Sequence, residues 1–283
     1  MKIKGSTNVV GLIGHPVNHS FSPAMHNRAF DALNMDYVYV TFDVDHLNLK
    51  YAIDGANSLN IKGLNVTIPH KIEVMKYLYE IDEIASLIGA VNTIDFKEMK
   101  GYNTDGIGAV KAIEEVTSIK NKNVLIAGAG GASRAISFYI AKYNPQSLTI
   151  LNRNIKKAYY LSDDILKSDL TDCVKSDSLS NINDYLNDAD ILINTTPVGM
   201  HPNINDNPIA EASDMHEDLV VFDAVYNPNE TALIKQAIKA HAKPVYGIKM
   251  LLYQGAESFK IWTGHEAPID EMEKALRNTL NSQ

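Results

Sequence analysis

At 283 residues the chain has room for two domains, since single cores rarely grow far past about 250 residues. It is 45% hydrophobic and 21% charged, the balance of an ordinary globular protein. Its net charge of −8, with no basic block, argues against a nucleic-acid partner. The single cysteine, Cys173, excludes an intrachain disulfide and a cysteine-based zinc site. No apolar run approaches about 18 residues, and the start "MKIKGSTN" lacks the apolar segment of a signal peptide. No membrane association and a cytoplasmic location are therefore expected.

In chain order, strand-like and helix-like stretches alternate, the mark of an α/β fold with a largely parallel sheet. "VVGLIG" (9–14) reads as a buried strand, followed by a helix from Ser22 with Pro23 at its first position. "DYVYVTFDV" (36–44) is a second strand and 46–58 a helix. "GLNVTIPHK" (63–71) reads as a strand running into a helix that Pro69 opens. Lys71 then falls in a first helical turn, where the partial positive charge disfavours a cation by about 0.3 kcal/mol or more. "IDEIASLIGA" is helical, and "AVNTIDF" and "GYNTDG" form strands about a polar turn. A helix from Gly106 could bridge two domains.

A second α/β unit opens at "KNVLIAGAGGASRAISFYIAKY" (122–143) and continues through strands at 147–153, 190–197 and 219–226. Two helices end the chain, 247–262 and "PIDEMEKALRNTL", the latter with Ile269, Met272, Leu276 and Leu280 on one stripe.

"VLIAGAGGASRA" has the order of a dinucleotide site: apolar strand, glycine turn, helix. Gly128 permits the tight turn, and Gly130 lets backbone approach a pyrophosphate at the helix N-terminus. The third fingerprint position is Ser133 instead of Gly or Ala, with Gly131 and Ala132 as alternative providers of close packing. The second strand ends in Asn152 and Arg153, followed by Lys156 and Lys157, where NAD-binding chains carry an acid. No acid appears until Asp163. A guanidinium matches a 2′-phosphate, so NADP is the expected cofactor.

Ser20 and Ser22, two apart in extended chain at a helix start, are candidates for holding a carboxylate, although Ser22 is equally readable as an N-cap. Asp105, in "NTDG", is either a helix cap or a carboxylate paired with a lysine. "NTTPVGM" (194–200) is a loop at the end of a sheet strand, where ligands bind in open α/β sheets. His15 and His19 are four apart, but Pro16 makes that segment extended, and no metal site is expected.

Taken in order, "SFSPAMHN", "GLNVTIPHK", "GAVNTI", "NTDG", "GAGGASRA", "NTTPVGM" and "YGIKMLLYQGAESFKIWTG" resemble the shikimate dehydrogenase family, and span residues 9 to 264. The resemblance implies two α/β domains with a cleft between them. One is a discontinuous substrate domain (1–107 plus 245–283), the other a Rossmann-type NADP-binding domain (108–244). It implies reduction of 3-dehydroshikimate to shikimate with NADPH, a step toward chorismate and the aromatic amino acids. Ser20 and Ser22 would bind the substrate carboxylate, and Thr67, Lys71, Asn92, Asp105 and Gln254 would line the hydroxyl-bearing side of the ring. Lys71 and Asp105 would be the catalytic dyad, Lys71 either donating the proton or stabilising charge. Tyr226 matches a substrate-pocket tyrosine. The nicotinamide would lie near Thr195, Val198, Met200 and Gly247, and Asn152 and Arg153 match the "NR" of NADP-using members. The family holds both monomers and homodimers. Three alternatives stand beside this reading: an NAD-using quinate/shikimate dehydrogenase, a non-catalytic dinucleotide-binding regulator, and a related oxidoreductase acting on another ring such as an aminoshikimate.

Overall fold

The computed structural model of the chain describes residues 2–281. The chain folds as two compact units, Met1–Thr104 with Leu252–Gln283, and Asp105–Leu251. The second unit thus takes in Asp105 and the first residues of the penultimate helix, which the sequence reading assigned to the substrate domain.

The first unit holds β1 (Asn8–Gly14), α1 (Ser22–Ala32), β2 (Tyr37–Asp43), α2 (Leu49–Ser58), β3 (Gly63–Val66), β4 (Glu80–Ile81), α3 (Glu83–Ile88), β5 (Thr93–Asp95) and β6 (Lys100–Tyr102). Its sheet order is β2-β1-β3-β5-β6-β4. β1 lies parallel to β2 and β3, while β5 runs antiparallel to both β3 and β6. All four residues of β3 are buried. On α2, Leu49, Ile53 and Ala56 form the helical stripe that enters a core with Ile13, Leu64, Val66 and Ile94. Asp82 caps α3 by accepting from Ile84 N at 3.2 Å, and Gly89 ends it with φ +74°.

The second unit holds α4 (Asp105–Glu114), β7 (Asn123–Ala127), α5 (Gly131–Lys142), β8 (Ser147–Asn152), α6 (Ile155–Leu166), β9 (Val174–Ser178), α7 (Asn183–Leu186), β10 (Ile191–Asn194), β11 (Val220–Asp223), α8 (Ala232–Lys239), β12 (Lys243–Tyr246) and the start of α9 (Gly247–Thr263). Every strand pair in its sheet is parallel, in the order β12-β11-β10-β7-β8-β9. That is the doubly wound dinucleotide-binding order, with β7 at the point where the direction of winding reverses. The central strands β7, β10 and β11 are short apolar runs, and Leu125, Leu151, Leu192, Val221, Leu233 and Ala237 meet in one core. The remainder of α9 and α10 (Ile269–Asn281) return to the first unit, where Met272 and Leu276 are fully buried. Among the described residues, no helix is long and apolar enough to cross a membrane.

Three local expectations need correction. The segment after β3 is not an α-helix: Thr67–Ile72 is a loop, followed by a short 3-10 helix over Glu73–Tyr77 and then β4. The pattern "KIEVMKYLYEI" buries one residue fully, Val74, too little to hold a long helix against the sheet. Lys71 therefore lies ahead of that helix, and the dipole penalty inferred for it does not arise. Second, β9, "VKSDS", escapes a periodicity reading because it is a polar edge strand. Third, the N-cap of α1 is Phe21, not Ser22.

Candidate active site

Six of the expected substrate residues lie in the first unit: Ser20, Ser22, Thr67, Lys71, Asn92 and Gln254. β1 and β3 are parallel neighbours with Ile13 beside Val66, so the loops that follow them leave from the same edge of the sheet. The first loop carries Ser20, whose hydroxyl accepts from Ser22 N at 3.2 Å and so does the capping that Ser22 was assigned. The second carries Thr67, whose N–H donates to Ile13 O at 2.9 Å. His70 is enclosed and its Nε2 lies 2.6 Å from Val44 O, which pins this loop. Two backbone bonds then join the loop to the segment before β5: Val66 N to Asn92 O, and Val91 N to Lys71 O, both at 2.8 Å. Thr67, Lys71 and Asn92 are thus set on two strands of backbone bonded to each other.

Asn92 is buried and its side chain holds the next turn. Its Oδ1 accepts from Thr104 N at 2.8 Å and from the Thr93 hydroxyl at 3.0 Å. Thr104 is the residue directly before Asp105, so the amide fixes the backbone that leads into the expected catalytic carboxylate. Behind Asn92 lies a buried set of neutral groups. Asn65 Nδ2 donates to Asn92 O, to Thr93 Oγ1 and to Ser258 Oγ, at 3.2, 3.1 and 2.9 Å. Ser258 donates to Gln254 O at 3.0 Å, one turn back on α9, where Gln254 is 9% exposed. Asn65, Thr93, Thr104 and Ser258 were not singled out from sequence. An amide inside the otherwise apolar "GLNV" was the available signal, because a buried polar side chain requires partners.

In the second unit the expected nucleotide residues fall into one row. Ala127, Leu151, Asn194, Asp223 and Tyr246 stand abreast across five adjacent parallel strands. The residues that follow them are Gly128, Asn152, Thr195, Ala224 and Gly247, four of which were named as cofactor-binding. Gly128 has φ +113°, and a Cβ there would lie 2.2 Å from Thr195 Oγ1. Gly247 is as restricted: its added Cβ would meet the carbonyls of Asp223, Ala224 and Val225 within 2.8 Å. Thr195 donates to Ala127 O through both N and Oγ1, at 2.8 and 2.7 Å.

Ser133, the departure from the glycine fingerprint, has a structural reason. It is fully buried and its hydroxyl donates to Gly128 O at 2.7 Å, which closes the turn. Gly131 and Ala132, expected to supply the close packing, are instead exposed. Around Gly130 and Gly131 an added Cβ would find nothing within 4 Å, and no side chain caps α5. Open space beside uncapped N–H groups suits a pyrophosphate. Asn152 Nδ2 donates to Asn154 O at 3.0 Å, and Asn154 caps α6, which leaves Arg153 exposed beside the ribose-side turn with Lys156 and Lys157. The residues present fit a dinucleotide with a 2′-phosphate.

Asp223 organises the loops on the other side of the row. It is fully buried, yet accepts from Asn194 Nδ2 at 3.0 Å, Val225 N at 3.0 Å and the Thr231 hydroxyl at 2.6 Å. Burial pushes its carboxyl up to about 6 against the pull of those donors. Asn194 in turn accepts from the Thr196 N–H and hydroxyl, which shapes the loop bearing Val198 and the exposed Met200. Tyr226, 36% exposed, follows Val225 directly.

Comparison with known proteins decides the family. Residues 12–94 match the family model "Shikimate dehydrogenase substrate binding domain". Residues 110–241 match "Shikimate / quinate 5-dehydrogenase", and residues 247–277 match "Shikimate 5'-dehydrogenase C-terminal domain". The chain belongs to the shikimate dehydrogenase family. It is 70% identical over 279 residues to the shikimate dehydrogenase (NADP(+)) of Methanobrevibacter smithii, covering 99% of each chain. A crystal structure of a shikimate dehydrogenase in complex with NADP+ superposes with a TM-score of 0.93 at 52% identity, over 99% of this chain and 98% of that one. The shikimate 5-dehydrogenase of Listeria monocytogenes, solved with shikimate and NAD, gives a TM-score of 0.92 at 35% identity, over 98% of each chain.

Proposed function

We propose that this chain carries out its family's reaction with Lys71 and Asp105 as the catalytic pair. The reaction is the NADPH-dependent, reversible reduction of 3-dehydroshikimate to shikimate, in the route to chorismate. Bound NADPH supplies the hydride. The chain's own residues must then hold the ring, stabilise the oxyanion that develops at the reduced carbonyl, and deliver a proton to it. A charged Lys71 does the last two. The Asp105 carboxylate accepts a hydrogen bond from a ring hydroxyl. Ser20 and Ser22 take the substrate carboxylate, Thr67, Asn92 and Gln254 fit the hydroxyl-bearing side, and Tyr226 is the substrate-pocket tyrosine. The first unit serves as the substrate domain and the second as the nucleotide domain. Gly128, Gly130, Gly131 and Ala132 receive the pyrophosphate, Asn152 and Arg153 the adenosine 2′-phosphate, and Thr195, Val198, Met200 and Gly247 the nicotinamide end.

The single observation that carries the reading is the row Asn152, Gly128, Thr195 and Gly247, set at one sheet edge in a chain that belongs to this family. Loss of NADPH absorbance on addition of 3-dehydroshikimate tests it. Lys71→Ala is expected to lower kcat by orders of magnitude with a modest change in substrate KM, and near-normal kcat would remove the catalytic pair. Retained NADPH binding without turnover in the unaltered chain would favour a regulatory protein. The choice of nucleotide has its own test. Arg153→Ala should raise KM for NADP far more than for NAD, because NAD has no 2′-phosphate to lose. Equal effects on both would sink the argument from the basic turn.

A further inference from the structure

Thr149, on β8, is 6% exposed, and its hydroxyl has no hydrogen bond among the described residues. Buried hydroxyls are nearly always paired. This one lines a groove of about 430 Å³ on one face of the second unit's sheet. Alternate residues of a strand share a face, so Asn123 and Leu125 on β7, Ser147 and Thr149 on β8, and Lys175 on β9 stand on the same side. The cover there is thin. Ile182, Leu186 and Ala189 pack with Leu125 and Leu151, but α7 has only four residues and leaves the space over β8 unfilled. Its flanks are tied down. The Tyr185 hydroxyl donates to Asp177 on β9 at 2.8 Å, and Asn123 Nδ2 on β7 donates to Asp188 O at 3.0 Å. Asn123 Oδ1 also accepts from the Ser147 hydroxyl at 2.8 Å. The segment is thus strapped to the strands on either side of β8, and the groove that remains has fixed walls.

The charges on those walls differ in sign. Lys175 stands on β9, directly abreast of Thr149, while Asp184 and Asp188 belong to the α7 segment. All three line the groove, and none of their side chains has an ion pair or hydrogen bond among the described residues. The two acids are four residues apart on a helical turn, a spacing at which like charges repel. An ammonium between them removes that repulsion, and a carboxylate on the opposite wall meets Lys175. Leu125 and Ala189 add apolar surface.

We propose that this groove binds a free α-amino acid with an apolar side chain. Its ammonium lies against Asp184 and Asp188, and its carboxylate meets Lys175 and accepts from the Thr149 hydroxyl. The site is separate from the nucleotide row. Thr149 stands three positions before Asn152, about 10 Å along the strand, and the groove lies at the strand starts, Asn123 and Ser147. None of its residues has a part in the reaction proposed above.

Calorimetric titration of the intact chain tests this with L-leucine and with two relatives that each keep one charge, L-leucinamide and 4-methylpentanoate. L-Leucine is expected to bind at one site per chain, and each relative at least tenfold more weakly. No saturable binding of L-leucine overturns the proposal, and so does equal binding of either relative. Lys175→Gln should weaken L-leucine about tenfold and leave L-leucinamide where it was. Asp184→Asn combined with Asp188→Asn should weaken L-leucine and spare 4-methylpentanoate. Thr149→Val keeps the shape of the floor, removes its hydroxyl, and should also weaken L-leucine. If Thr149→Val does not fold, the other variants, at exposed side chains, read the same site. Unaltered L-leucine binding in Lys175→Gln and in the double aspartate variant overturns the proposal. Both variants should keep the parent's kcat and KM values. A raised KM for NADP+ in Lys175→Gln would join the groove to the nucleotide site and overturn its independence.

Discussion

The two units solve one problem, holding loops at a sheet edge, with opposite chemistry. In the first, the loops around Asn92 are held by neutral amides and hydroxyls: Asn65, Thr93, Thr104 and Ser258 all lie within hydrogen-bond reach of one another or of Asn92. In the second, one buried carboxylate, Asp223, gathers Asn194, Val225 and Thr231. Hydroxyls give and accept, so a neutral set has several ways to satisfy itself. An ionised carboxylate only accepts, so Asn194 Nδ2, Val225 N and the Thr231 hydroxyl all depend on this one group. Where an anionic cofactor is expected, the anchor is itself an acid, and that costs desolvation which the donors must offset.

Removing each anchor tests this contrast. Asp223→Ala leaves three buried donors unmet and is expected to cost about 3 kcal/mol or more. Thr231 adds to the loss, because its hydroxyl also caps α8 by accepting from Ile234 N at 3.3 Å. Urea unfolding should show the drop, and KM for NADPH should rise, since the loops that follow β10 and β11 lose a common anchor. A cost below that of an ordinary surface substitution would mean that the loops stand without the acid. The smaller effect is expected in the first unit. Thr93→Val keeps the shape of a fully buried side chain and removes a hydroxyl shared among Asn92, Asn65 and Ser258. Because Thr104 N still serves Asn92 Oδ1 and Ser258 still serves Asn65, a cost of about 1–2 kcal/mol is expected. A cost equal to that of Asp223→Ala would erase the distinction between the two anchors.

The nucleotide unit was the more legible from sequence, and the reason is physical. A parallel sheet buried on both faces writes itself as apolar runs, and the turn after β7 needs glycine at φ +113°, so pattern and composition both report it. In the first unit the residues that matter are brought together by bonds between distant segments, which leave no periodic trace. Lys71 shows this best. "IPHK" before an apolar, helix-like pattern predicts a helix start, but His70 turns inward to Val44 O and the chain makes a loop in its place. Lys71 drew attention as a cation at an expected helix start that the structure does not form, and its proposed catalytic role rests on the resemblance to a family. Asn65, Thr93, Thr104 and Ser258 were missed altogether, because each is an ordinary residue until its partner, up to 193 positions away, is known.

The same two regions oppose each other in acid, and this is where the smallest effect is expected in the unaltered chain. Burial lowers His26 from 6.5 to about 3 and raises Asp223 from 3.8 to about 6. Between those limits the unfolded chain charges His26 while the folded chain does not, so unfolding takes up protons and stability falls as pH falls through the window. Asp223 runs the other way. The folded chain holds its proton where the unfolded chain has lost it, so this contribution is complete below pH 3.8 and is lost as pH rises through about 6. Each slope is at most about 1.4 kcal/mol per pH unit, and from pH 3.8 to 6 they nearly cancel. Asp223→Asn removes one of the two. Compared with the parent, the variant should lose stability as pH is lowered across that window, because the histidine's contribution is no longer opposed. Urea midpoints of both chains at several pH values read the difference directly. Curves that stay parallel would mean that Asp223 is ionised in the fold throughout, held so by Asn194, Val225 and Thr231 despite its burial.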